Sequence, residues 1–188
     1  MTTTTPELAA PATGDPARIL APGVVAVQVD HDRFEIHPLP ADVVVERDVM
    51  VPTPAGEQVA LNLYRPQGDG PFPVVCALTS YGKDLHPIDY VLRGRGPTFR
   101  SLGLRLGEFA VSEATPFEAP DPAPWVAAGY AVAHVDALGT GASTGRPGLA
   151  LAPPVVDGFV TAIEWLADQT WSNGRVGLTG VSYLAIIQ

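Results

Sequence analysis

The sequence has one cysteine, Cys76, and therefore no internal disulfide framework. Cys76 sits in the apolar run Pro73-Val74-Val75-Cys76-Ala77-Leu78. That setting predicts a buried, inert thiol rather than a nucleophile. Cationic side chains are scarce, 11 Lys and Arg against 20 Asp and Glu, for a formal charge of -9. An acidic chain repels phosphate backbones, which argues against nucleic-acid binding. No apolar run reaches the roughly 18 residues that would span a bilayer, so no membrane association is expected. Met1 to Asp15 shows no positive charge followed by an apolar stretch. It does not read as a secretion signal, and the expectation is a cytoplasmic protein.

What the chain does contain is proline and glycine. Together they make 39 of 188 residues, with Pro 20 and Gly 19, and proline is at about twice its usual share. Hydrophobic residues still reach 46%, a globular value. Residues 1–42 are predicted as a flexible arm rich in Pro, Thr and Ala, with Val24 to Val29 able to add a short edge strand. Residues 43–188 form the domain. Val43 to Val51 is β-branched, Pro54-Ala55-Gly56-Glu57 reads as a turn, and Gln58 to Tyr64 alternates with Val59, Leu61 and Leu63 on one face. This predicts an antiparallel hairpin with one buried face. Phe72 to Leu78 follows as a central strand.

Residues 84–124 are predicted as a long irregular loop or insertion. Four of the ten arginines, Arg93, Arg95, Arg100 and Arg105, fall there. The segment reads as a solvated surface loop with one helical turn or two, with a patch for an anionic group as the alternative. Tyr130 to Asp136 predicts a strand. Pro153-Pro154 opens a helix. Val156, Phe159, Val160, Ile163 and Leu166 recur on one helical face, and Asn173-Gly174 stops it. Arg175 to Gly180 is a last strand. Strands alternating with helices predict an α/β domain with a mostly parallel sheet and an antiparallel start.

The last strand runs into Gly180-Val181-Ser182-Tyr183-Leu184. A serine between a strand and a helix is the setting of a nucleophile elbow, although Leu184 stands where the usual Gly-x-Ser-x-Gly pattern has its second glycine. The wider context, Trp171 to Gly177 and then Thr179-Gly180-Val181-Ser182-Tyr183-Leu184, resembles the nucleophile region of the cocaine esterase and Xaa-Pro dipeptidyl-peptidase family of α/β-hydrolases. Four further features agree in order. Val51-Pro52 through Leu61-Asn62-Leu63-Tyr64-Arg65-Pro66 resembles that family's opening hairpin. Pro73 to Ser80 resembles its third strand, and Tyr81-Gly82-Lys83-Asp84 its oxyanion loop. Gly129 to Asp136 with Gly139 to Gly145 resembles its fourth strand and Gly-rich loop. Ala185 departs mildly, because family members often carry Gly there. Leu138 departs further: the family usually has Arg at that position, which predicts a less firmly held loop.

The resemblance implies the N-terminal part of an α/β-hydrolase fold, ending just after the nucleophile elbow. It implies Ser182 as the nucleophile for an ester or peptide carbonyl of a small-molecule or peptide substrate. The backbone N–H of Tyr183 and the hydroxyl of Tyr81 would be the oxyanion donors. No metal and no organic cofactor is implied. In such hydrolases the serine is followed by Asp or Glu and then His, yet Tyr183 to Gln188 contain neither. His31 and His37 lie in the arm, His134 reads as a satisfied strand histidine, and His86 lies in the loop after Tyr81. The expectation is a serine hydrolase portion that is inactive as these 188 residues. A non-catalytic binding or interaction module is the alternative. The sequence does not indicate an oligomeric state.

Overall fold

The computed structural model describes residues 22–29, 32–92, 108–149 and 151–188. His31, Arg93, Arg95, Arg100 and Arg105 lie outside them. Strands β1 (Val25–Val29) and β2 (Asp32–His37) pair antiparallel. The main sheet contains β3 (Val43–Pro52), β4 (Gln58–Pro66) and β5 (Phe72–Thr79). Helix α1 (Pro87–Leu92), strand β6 (Glu108–Ser112) and helix α2 (Pro122–Ala127) follow. Strand β7 (Ala131–Asp136), helix α3 (Pro153–Ala167), strand β8 (Ser172–Leu178) and the single turn α4 (Tyr183–Ile186) complete the order.

The five-stranded sheet runs β3-β4-β7-β5-β8. β3/β4 and β4/β7 are antiparallel, and β7/β5 and β5/β8 are parallel. This is the expected parallel sheet with an antiparallel start. The crossover from β7 through α3 to β8 carries the chain across β5, and it places the end of β8 beside the end of β5. The loops after Thr79 and Leu178 therefore emerge together.

Both faces of the sheet are covered. On the α3 face, Val59, Leu61, Leu63, Val74, Cys76, Leu78, Ala133 and Val135 pack with Val155, Phe159, Ala162 and Leu166. On the other face, Tyr64, Val75 and Val132 pack with Ala114 and Val126. The alternation in β4 had predicted one buried face, but Ala60, Asn62 and Tyr64 are buried as well. The second cover comes from α2 and the segment before it, which local alternation cannot reveal. Cys76 is fully buried, and burial pushes its thiol pKa far up.

Four sequence expectations are corrected by the structure. The described part of the predicted arm carries β1, the strand expected over Val24 to Val29, and an unexpected second strand, β2, while residues 1–21 lie outside the described residues. Phe34 is buried and meets Phe109 edge-on at 6.0 Å. β2's further partner, β6, lies some seventy residues on, so the pairing is not visible locally. The predicted 84–124 loop has the one or two helical turns expected of it, in α1 and the start of α2, but it also contains a strand, β6. The helical face of α3 has the predicted period but a rotated phase. Val156 and Val160 are 39% and 45% exposed, while Val155, Gly158, Phe159, Ala162 and Leu166 are buried. Small residues set this phase. A Cβ on Gly158 would stand 3.1 Å from Leu138 and 3.2 Å from Val59, so the helix seats closely only along that line. Finally, α3 ends at Ala167, and Asn173-Gly174 lie within β8. The pairing jumps from Phe72↔Ser172 to Val74↔Val176, and Gly174 takes φ 78° in that irregularity.

Candidate active site

β8 delivers the chain to a sharp turn. Thr179 N–H donates to the Cys76 carbonyl at 3.1 Å, the last tie to the sheet. Val181 N–H then donates to the Glu118 carbonyl at 3.2 Å. Ser182 follows with φ 56° and ψ -121°, and α4 starts at the next residue. A side chain in this backbone region costs on the order of 1–3 kcal/mol and persists only where the surroundings fix it. Gly180 is part of what fixes it. A Cβ there would lie 2.5 Å from the Leu184 Cβ and 3.0 Å from the Leu184 carbonyl carbon. Strand end and helix start can therefore touch only at glycine. Leu184 is buried beneath the turn, which explains why it serves where the common elbow pattern has a glycine.

The turn leaves Ser182 exposed, and its side chain makes no capping bond to α4. Among the described residues the Tyr183 N–H has no acceptor. It is one of the unpaired donors at a helix start, next in the chain to Ser182.

Tyr81 comes from the loop after β5. Its N–H donates to Thr79 Oγ1 at 3.0 Å. Its ring meets Tyr183, Phe117 and Tyr90 edge-on at 6.2, 5.2 and 6.0 Å, and Tyr90 stacks on Phe117 at 3.8 Å. The ring is 36% exposed. Burial, then the Glu118 carboxylate and the neighbouring tyrosines, push its pKa above the ordinary phenol value. It is a protonated donor at neutral pH. Structure thus brings Ser182, Tyr183 and Tyr81 into one place.

Sequence reasoning missed two neighbours. Glu118 has φ 62°, its carbonyl holds the elbow, and its carboxylate faces the Tyr81 hydroxyl. Burial raises its pKa, and among the described residues its buried Oε2 has no hydrogen-bond partner. Glu118 also lines a cavity of about 250 Å³ that adjoins the elbow at Thr179, Gly180 and Val181. Ser182 and Tyr81 do not line that cavity.

The second neighbour is Lys83, only 1% exposed. Its Nζ donates to Asp48 Oδ1 at 2.6 Å and Asp84 Oδ2 at 2.7 Å, with Asp136 Oδ2 at 3.6 Å. Burial alone would lower its pKa, but these carboxylates outweigh that and raise it. Burial pushes Asp84 up, and hydrogen bonds from Lys83 and Asn62 more than offset this and hold it below its usual value. The signal for this cluster was present. Lys83 is the chain's single lysine, and Arg47-Asp48 interrupts an otherwise β-branched strand.

The loop after β7 corrects another expectation. With Leu138 in place of Arg it is still firmly held. Ala142 N–H donates to Asp136 Oδ2 at 2.8 Å, Ser143 Oγ–H to the Asp136 carbonyl at 2.7 Å, and Gly139 N–H to the Thr144 carbonyl at 2.8 Å. Leu138 itself is buried against α3. Asp136 is structural, accepting from the Lys83 and Ala142 N–H groups.

His134 and His86 are committed elsewhere. His134 Nε2–H donates to the Pro120 carbonyl at 2.9 Å inside the sheet packing, against Tyr64 at 5.3 Å. His86 Nδ1 accepts from Ile88 N–H at 3.3 Å, which leaves Nε2–H to donate to the Ser112 carbonyl at 3.3 Å. Among the described residues no group of His, Cys, Asp and Glu is arranged to hold a metal ion, and no helix is long and apolar enough to cross a membrane.

The model of the X-Pro dipeptidyl-peptidase (S15) family matches residues 55–188. The chain belongs to that family. It is 32% identical over 147 residues to the cocaine esterase of Rhodococcus sp. (strain MB1 Bresler), covering 77% of this chain and 20% of the esterase. A CocE/NonD family hydrolase from Staphylococcus aureus is similar in structure, with TM-score 0.58 and 30% identity over 90% of this chain and 28% of that one. An aminopeptidase from a Thaumarchaeota archaeon shares the fold at 19% identity, with TM-score 0.54 over 94% of this chain and 25% of its own. The sheet described above is thus the N-terminal part of an α/β-hydrolase fold. The chain spans between a fifth and about three tenths of the length of these relatives.

Proposed function

We propose that this chain supplies the nucleophile and the oxyanion donors of a serine hydrolase acting on esters or amides. The observation that carries the reading is the backbone of Ser182, held at φ 56° between β8 and α4 with the Tyr183 N–H unpaired beside it. Such strain on an exposed serine has no packing benefit and suits a nucleophile that must stand clear of the sheet.

In this reading Ser182 Oγ attacks the substrate carbonyl, and its proton passes to a base. Negative charge collects on the carbonyl oxygen. The Tyr183 N–H and Tyr81 hydroxyl donate to that oxygen, and each such donor is worth about 10²–10³ in rate. Collapse expels the alcohol or amine and leaves an acyl-enzyme on Ser182, which water then hydrolyses. No cofactor is needed. Among the described residues no base stands on Ser182: His134 and His86 are hydrogen-bonded elsewhere, and His37 lies 3.8 Å from Glu35. The 188 residues alone are therefore expected to be inert.

The test is hydrolysis of a p-nitrophenyl ester by the product of the whole reading frame that contains these residues. Wild type hydrolyses it, and Ser182→Ala loses the activity by at least about 10³-fold. Equal rates in the two proteins would reject the reading and favour a non-catalytic binding module.

A further inference from the structure

The Lys83 cluster does more than add contacts. Asn62 Nδ2–H donates to Asp84 Oδ1 at 2.7 Å, and Asp48 N–H donates to Asn62 Oδ1 at 3.1 Å. The Lys83 backbone N–H donates to Asp136 Oδ1 at 2.6 Å. Lys83 is thus pinned at both its main chain and its ammonium. The carboxylates reach it from three separate elements: the bulge of β3, its own loop, and the end of β7.

Asp48 is placed at some cost. It has φ 52°, and the pairing of β3 with β4 skips from Glu46↔Leu63 to Val49↔Leu61, so two residues of β3 oppose Asn62 alone. Such bulges re-aim a side chain. Burying an ammonium among carboxylates is also a poor way to gain stability, since an apolar side chain of similar size serves as well or better. What the arrangement does provide is a fixed position. Only Gly82, at φ 109°, separates Lys83 from Tyr81. With trans peptides Cα to Cα is about 3.8 Å per step, so a shift at Lys83 is passed directly to Tyr81.

We propose that Lys83, gripped by Asp48, Asp84 and Asp136, is a positioning residue that sets the Tyr81 hydroxyl at the oxyanion site beside Ser182. The aromatic walls of Tyr90, Phe117 and Tyr183 orient the ring, and the Lys83 grip fixes the backbone that carries it. This rests on the serine-hydrolase reading, and the experiment keeps the two separable.

The experiment uses the product of the whole reading frame, with Lys83→Met, Tyr81→Phe and the double variant. Lys83→Met lowers kcat for a p-nitrophenyl ester by about 10- to 100-fold and leaves KM within about twofold, because the lost interaction belongs to the transition state. Added to Tyr81→Phe, it costs no more than about twofold further, since both changes remove one donor. Losses that multiply in the double variant, or an unchanged kcat in Lys83→Met, would overturn the proposal. Should Lys83→Met not fold, Asp48→Asn gives the same comparison through a side chain 62% exposed. If wild type proves inactive, the reading under Proposed function fails and a second readout remains. The ¹⁹F resonance of 3-fluorotyrosine at Tyr81, assigned with Tyr81→Phe, shifts in Lys83→Met while that of Tyr130 stays. A Tyr81 resonance that does not move would overturn the proposal by itself.

Discussion

At the scale of single residues, burial decides which polar groups can act. His134 and Tyr81 show two outcomes. His134 is wholly enclosed, and burial holds its imidazole neutral down to about pH 4 against an ordinary value of 6.5. Among the described residues its Nδ1 has no partner. An unfolded chain takes up that proton near 6.5 and the folded one does not. The contribution to stability is therefore complete above pH 6.5, falls as pH drops from 6.5 to about 4, and changes no further below. The gap corresponds to about 3 kcal/mol. Urea unfolding between pH 7 and 4 should show it as the difference between wild type and His134→Gln, whose amide can still donate to Pro120. Parallel pH profiles for the two would show that His134 does not titrate in this way. Tyr81, only partly covered, has its pKa pushed above the ordinary phenol value by burial and by Glu118, so its hydroxyl stays protonated at neutral pH. Ser182, Tyr81 and Tyr183 were legible as candidates because each sits in a motif of a few residues. Glu118 was not, and the Lys83 cluster showed only as a single lysine and an interrupted strand. Their meaning depends on partners 35 to 63 positions away, Asp48 for Lys83 and Val181 for Glu118.

Elements tell a similar story about range. The strands of the main sheet were readable from β-branched runs and alternation, and α3 from its period. What failed was anything set by a neighbour. β1 and β2 exist as a sheet only with β6, and the second buried face of β4 needs the α2 side. The phase of α3 failed for a different reason. Hydrophobicity ranks Val156 and Val160 above Gly158 and Ala162, but close approach to Leu138 and Val59 selects the small residues. That phase is testable. Val160→Lys should change unfolding free energy by less than about 0.5 kcal/mol, as an exposed substitution does. Phe159→Ala should cost about 3–5 kcal/mol from lost burial and a residual cavity. Chemical denaturation of both variants measures the contrast, and a large loss for Val160→Lys would return the helix to the phase predicted from sequence.

Across the whole molecule, the sheet order is what makes a site from distant segments. β8 lies against β5, so the elbow carrying Ser182 and the loop carrying Tyr81 leave the sheet side by side. The elbow's other support, the Glu118 carbonyl, comes from the segment between β6 and α2. Three stretches of chain thus meet at one serine. The scarcity of cysteine and of positive charge constrained little of this. Family resemblance, carried by short motifs in the right order, pointed to the candidate site, and the geometry supplied the reason its residues stand together. The central claim is that Ser182 is a nucleophile. The most direct measurement is peptide mapping by mass spectrometry after the product of the whole reading frame is treated with a fluorophosphonate. A single adduct on the peptide containing Ser182, absent in Ser182→Ala, is the predicted result. An adduct elsewhere, or none on a folded and hydrolytically active protein, would contradict it.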